Sequence, residues 1–134
     1  MQTTLDNPPG APAPFASYSQ VARIELGTGA LLVLSGQIAV DENGAPMANR
    51  DMRAQAENVF AGIGALLAAH GAALTDIINI RTYLTDMADL PAYGEVRRRL
   101  FPAPAPTSTT VQVAKLFRPE ALLEVEVVAT VPAR

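Results

Sequence analysis

Two carboxylates stand two residues apart near the end of the chain, in Leu123-Glu124-Val125-Glu126-Val127. On an extended strand that spacing puts both on one face, about 7 Å apart, with the valines on the other. A carboxylate in a cleft can take a proton from water, whereas one on an outward polar face does nothing chemical. Hydroxyls gather in Pro106-Thr107-Ser108-Thr109-Thr110-Val111, with no cation among them. Serine and threonine donate and accept in adaptable directions, which suits a neutral or hydroxylated ligand. Ser35 is a hydroxyl inside an apolar run and needs at least a backbone partner. Tyr18 follows a proline-rich start and reads first as a ring anchoring that segment. Arg97-Arg98-Arg99 reads as a solvated face, because consecutive helical positions point in different directions. His70, near the end of a helical stretch, reads as a partner for the helix dipole.

What is missing narrows the chemistry further. The chain has no cysteine, so disulfides, thiolate catalysis and Cys-ligated metals are excluded. A single histidine excludes a His-rich metal site. There is no Ser-His-Asp set and no Gly-rich phosphate loop, so neither triad hydrolysis nor nucleotide binding is expected, and no metal or cofactor is called for. A net charge of -3 argues against a nucleic-acid footprint, which needs clustered Lys and Arg. The first residues lack a basic segment followed by an apolar run, and no apolar stretch reaches the roughly 20 residues of a membrane span. The expectation is a soluble cytoplasmic protein with no membrane contact.

The elements that must position these groups follow from periodicity. At 134 residues, 49% apolar and 17% charged, the chain has the size and composition of one globular domain. Residues 1–14 carry Pro8, Pro9, Gly10, Pro12 and Pro14 and read as an extended arm. Strands are expected at 23–26 and 31–40, then a turn at Asn43-Gly44. Apolar residues at helical spacing predict a helix over 51–70, capped by Asn49 or Asp51 and ended by Gly71. A strand at 77–84 and a helix at 86–101 follow, the latter with Asp86 as cap and Pro91 in its first turn. Pro102, Pro104 and Pro106 form an extended connector to strands at 107–114 and 122–131, separated by a loop around Phe117-Arg118-Pro119. This order predicts an α+β fold, one mixed sheet with two helices on one face. Several strands are apolar on both faces, so another subunit is expected to cover the side the helices leave open.

Several segments, taken in order, resemble the RidA/YjgF family of reactive-intermediate (imine and enamine) deaminases. They are Tyr18-Ser19-Gln20-Val21-Ala22-Arg23, Ser35-Gly36-Gln37-Ile38, Ala54-Gln55-Ala56, Arg81-Thr82-Tyr83-Leu84-Thr85-Asp86-Met87, Val111-Gln112-Val113-Ala114-Lys115-Leu116 and Leu123-Glu124-Val125-Glu126. The resemblance runs from about residue 14 to the end. It implies a chorismate-mutase-like fold assembled as a homotrimer, with the sheets forming an inner barrel and three clefts between neighbouring subunits. It also implies that Glu124 orients or activates the hydrolytic water, that Ser35 lines the cleft and bonds substrate or water, and that Tyr18 closes the pocket. The expected partners are further copies of the chain and a small molecule.

Two positions depart from the family pattern. Ser108 stands where deaminase members carry an arginine, three residues before Val111-Gln112-Val113. That arginine holds a substrate carboxylate through a bidentate pair, which serine cannot reproduce. A hydrogen bond to a charged group is worth about 1.5–3 kcal/mol, so the loss amounts to roughly 10- to 150-fold in binding. Gly94 stands where the family often has asparagine. Three outcomes are open. The pocket takes a substrate without that carboxylate, bound by Ser108, Thr109 and Thr110; or Arg23, Arg81 or Arg118 replaces the arginine; or the trimer binds a metabolite without turning it over. The leading expectation is a hydrolase acting on a small imine, enamine or related C–N substrate, with a biosynthetic tailoring enzyme of the same fold as an alternative. RNA cleavage, also attached to the family, has little support from an acidic chain.

Overall fold

The computed structural model describes residues 1–133. In chain order its elements are β1 (Thr3–Asp6), β2 (Val21–Glu25), β3 (Ala30–Leu34), α1 (Met52–Ala68), β4 (Ile77–Leu84), α2 (Leu90–Leu100), β5 (Thr107–Gln112) and β6 (Leu123–Val131). The strands form a six-stranded sheet of order β1-β2-β3-β6-β4-β5. Neighbours are antiparallel except β4 and β5, which run parallel and are joined through α2. The expected α+β architecture, two helices on a mixed sheet, is what the chain adopts.

Strict alternation along β6 sets the layers. Leu123, Val125, Val127, Ala129 and Val131 are buried, while the residues between them are half-buried on the other face. Onto the buried face pack Val59, Phe60, Ile63, Leu66 and Leu67 of α1 and Tyr93 and Val96 of α2. Asp51 starts α1, its carboxylate accepting from the Ala54 amide at 2.9 Å. Gly71, at φ 80°, turns the chain after the helix. No helix among the described residues is long and apolar enough to cross a membrane.

Three local expectations are corrected. The strand expected over 31–40 stops at Leu34. Leu34, Ser35 and Gly36 separate the pair Val33↔Val128 from the bridge Gln37↔Val125, against only Glu126 and Val127 on β6, so the chain bulges there. Inside the arm expected at 1–14, Thr3–Asp6 pairs with β2 as an edge strand ahead of the prolines. The buried Gln20 then ties down the rest: its Nε2 donates to the Pro12 carbonyl at 2.6 Å and its amide to Asn7 Oδ1 at 2.8 Å. His70, expected to serve the α1 dipole, instead meets Asp6 at 2.9 Å and holds β1 to the end of that helix.

The sheet face turned away from the helices is uncovered in one chain. Strand register places Leu31, Val33, Val111 and Val128 there beside Arg81, Tyr83, Glu124 and Glu126. Val33, in mid-sheet, is 41% exposed and Val111, on the edge strand β5, 42%, both high for branched apolar residues.

Candidate active site

Glu124 sits near the start of β6, opposite Tyr83 on β4. The lead-in to β6 is fixed by Gln55, a fully buried amide on the otherwise apolar stripe of α1. Gln55 Nε2 donates to the carbonyls of Asn49 and Glu120 at 2.8 and 2.9 Å, and its Oε1 accepts from the Leu122 amide at 2.9 Å. A buried amide with its partners in place fixes backbone position, here two residues from the carboxylate. On the other side the bulge brings Gly36 onto Glu124. A Cβ at Gly36 would lie 2.7 Å from Glu124 Oε2, so only glycine leaves the carboxylate where it is.

Glu124 is half-buried, and its carboxyl is pushed above its ordinary range, first by burial and then by the negative charge of Glu126. Glu126 accepts from the Tyr83 hydroxyl at 2.5 Å, which in turn holds the phenol above its usual value. The two glutamates therefore differ in environment although they share a face: Glu126 is engaged by a phenol, while Glu124 has no protein hydrogen-bond donor among the described residues.

Glu124 lines an open cleft of about 440 Å³ together with Ser35, Gly36, Tyr18 and Arg118. Ser35 donates its hydroxyl proton to the Ser19 carbonyl at 2.7 Å, so towards the cleft it offers lone pairs. Tyr18 is 38% exposed, and its hydroxyl accepts a long 3.4 Å bond from the Phe15 amide. The aromatic wall is completed by Phe15 and Phe117, whose rings meet edge to face at 5.5 Å.

The structure thus brings together three of the sequence-derived candidates, Glu124, Ser35 and Tyr18. It does not bring Ser108, Thr109 and Thr110 to them within one chain. Ser108 and Thr110 are in register with the buried Ile80 and Thr82 and so point to the helix side of the sheet. Thr109 lies on the open face, in line with Arg81 and Glu126, but on the outermost strand.

The arginines also sort themselves. Arg23 is engaged by Glu25 at 2.6 Å and the His70 carbonyl at 3.0 Å, and Arg81 is on the open sheet face. Of the three candidates, only Arg118 lines the Glu124 cleft. The Arg97-Arg98-Arg99 run is not a uniform solvated face. Arg99 pairs with Glu57 at 2.9 Å, whereas Arg97 folds against the rings of Tyr93 and Phe101 and donates from Nη1 to Ser108 Oγ and Tyr93 Oη, both at 3.2 Å. Gly94 leaves room for Arg98, whose Nη1 is 3.3 Å from where a Cβ would be.

Sequence reasoning missed Phe15, Gly36 and Phe117 as site residues. For Gly36 a signal existed, because a glycine inside an apolar strand marks a bulge or a close backbone approach. The two phenylalanines lie in segments without periodicity, and nothing local announces that they meet.

These features define a two-layer α+β protein with a water-accessible carboxylate in a small, aromatic-walled cleft, an arrangement suited to hydrolytic chemistry on a small molecule. The chain belongs to the RidA/YjgF family: residues 9–131 match the family model described as endoribonuclease L-PSP. It is 30% identical over 123 residues to a 2-iminobutanoate/2-iminopropanoate deaminase of Dermatophagoides farinae, covering 92% of both chains. It is 33% identical over 124 residues to the 3-aminoacrylate deaminase RutC of Acinetobacter baylyi, covering 92% of this chain and 94% of that one. Among solved structures it resembles RidA from an Antarctic Psychrobacter, with a TM-score of 0.78 and 32% identity over 89% of this chain and 92% of that one.

Proposed function

We propose that this protein is a RidA-like deaminase that hydrolyses a small imine or enamine, with Glu124 positioning and activating the water. The observation that carries this reading is the half-buried Glu124 on a cleft wall, free of donors among the described residues and with its proton affinity raised. Such a carboxylate takes a proton from water more readily than an exposed one. As the water oxygen bonds to the imine carbon, Glu124 accepts one water proton and passes it to the nitrogen, which takes the π-bond electrons, giving a carbinolamine. Transfer of the remaining hydroxyl proton to nitrogen, again through Glu124, lets the C–N bond break, leaving a carbonyl product and ammonia. The lone pairs of Ser35 face the cleft and suit an N–H of the substrate or the attacking water. Relatives named for imine and enamine deamination support the same reaction class.

The working form in this reading is a homotrimer in the cytoplasm. Its support is the uncovered apolar sheet face, on which Val33 and Val111 stand exposed in one chain. Two measurements test the reading. Ammonia release from freshly generated imines should fall by about 10²–10⁴-fold in Glu124→Ala. Sedimentation should give a mass near three times the 14.1 kDa of one chain. Equal rates in wild type and variant remove Glu124 from the chemistry, and a stable monomer removes the intersubunit cleft. Ligand-induced thermal stabilisation without product favours a binding protein instead.

A further inference from the structure

Among the described residues the Glu124 cleft contains one cation, Arg118, and its setting is unusual for a surface arginine. Arg118 lies on the loop leading into β6, exposed, with its guanidinium 5.3 Å from the centre of the Phe15 ring and 5.6 Å from that of Phe117. Stacking on aromatic faces fixes the plane of a guanidinium while leaving its N–H edge open. No acceptor among the described residues takes any of its donors, and it forms no ion pair there. Every other arginine with a fixed setting is already occupied: Arg23 by Glu25, Arg50 by the Pro119 carbonyl, Arg53 by Glu95, Arg97 by two hydroxyls and Arg99 by Glu57.

Arg118 and Glu124 line the same cleft yet do not neutralise one another. The Glu124 proton affinity responds to burial and to Glu126, with no opposing pull from Arg118. A guanidinium and a carboxylate that share a cleft without pairing suit a ligand lying between them, its anionic end on the arginine and its electrophilic carbon towards the carboxylate. A single planar cation matches a carboxylate in charge and in bidentate shape. A phosphate dianion would leave excess negative charge facing Glu124.

Resting on the deaminase reading above, we infer that Arg118 is the carboxylate-binding residue of this cleft, supplied from the same chain as Glu124 by the loop that leads into its strand. The role that Ser108 cannot fill thereby moves from the outer strand to the β5–β6 loop. The substrate is then a carboxylate-bearing imine or enamine.

The test compares an anionic imine released by an amino-acid oxidase with an uncharged one released by an amine oxidase. Arg118→Gln should lose about 10- to 150-fold in kcat/KM on the anionic imine alone, and Arg118→Lys, which keeps the charge without the fork, should lose less. Equal losses on both imines, no loss on either, or loss of the anionic preference in Arg97→Gln in place of Arg118→Gln would overturn the inference. Calorimetric titration with 2-oxobutanoate, and with butanone as the uncharged control, separates this inference from the reaction it serves. If wild type turns over neither imine but binds 2-oxobutanoate, and Arg118→Gln weakens that binding, the deaminase reading fails and the Arg118 assignment stands. If wild type does not bind 2-oxobutanoate, the Arg118 assignment fails whatever the turnover.

Discussion

The β3–β6 corner and the β5 edge carry similar numbers of polar side chains, and the fold treats them in opposite ways. At the corner a bulge, a glycine and a buried amide converge on Glu124, yet no group among the described residues donates to its carboxylate. At the edge two of the hydroxyls are spoken for: Thr107 donates to the Ile78 carbonyl at 2.8 Å and accepts from Asn79 Nδ2 at 2.9 Å, and Ser108 accepts from Arg97. Structure that is spent on holding a group in place while leaving it unsatisfied is the mark of a reactive position. Hydroxyls that complete local hydrogen bonds do not need a ligand.

The sharpest way to break this contrast is Gly36→Ala. The added methyl would lie 2.7, 2.8 and 3.0 Å from Oε2, Cδ and Cγ of Glu124, so that side chain, not the backbone, would have to swing aside. Activity should fall by about 100-fold, the size of effect a 1 Å misplacement of a reacting group produces. Thermal stability should hardly change, since the side chain has open space to move into. A variant that keeps full activity would show that the position of this carboxylate does not matter to turnover.

A second pair of variants sharpens the comparison through stability. Gln55→Ala leaves the buried Leu122 amide and the Asn49 and Glu120 carbonyls without their side-chain partner. An unsatisfied buried group costs about 1–3 kcal/mol, which urea unfolding would register as a lower midpoint at unchanged slope. Ser108→Ala removes only an exposed acceptor of one 3.2 Å bond and should stay within about 0.5 kcal/mol of wild type. Similar losses in the two variants would mean that both regions are held equally tightly.

The same contrast explains what could be read from the residues alone. The strand at Ile77–Leu84, the amphipathic stripe of α1 and the alternation in β6 are local patterns, and each appears where its period placed it. Glu124 on the face opposite Val125 follows from that alternation. The bulge at Ser35-Gly36 does not, because it arises from pairing with a strand about 90 residues later. Ser108 was legible as a departure from a family pattern, but its side of the sheet depends on the β4–β5 register, which no local signal encodes. The setting of Arg97 is hidden for a related reason: the two arginines that follow it are exposed, while the rings that hold it come from the helix turn before it and the residue just past α2.

The smallest expected effect separates the two glutamates by pH. Burial and the Glu126 charge raise the Glu124 carboxyl above its ordinary 4.5, so the folded chain binds that proton more tightly than the unfolded chain does. The associated stability is therefore complete at low pH and is lost as pH rises through the raised folded value. Glu124→Gln cannot titrate; it should match wild type near pH 4 and gain a small stability advantage as pH rises towards neutrality. Glu126→Gln keeps an acceptor for Tyr83 but removes one of the two causes of the shift, while burial remains. The acid limb of kcat/KM, which reports the essential base in the free enzyme, should then move to lower pH with its plateau nearly unchanged. An acid limb that stays in place when Glu126 is neutralised would assign the titrating base to a group other than Glu124, the one carboxylate among the described residues that lines this cleft.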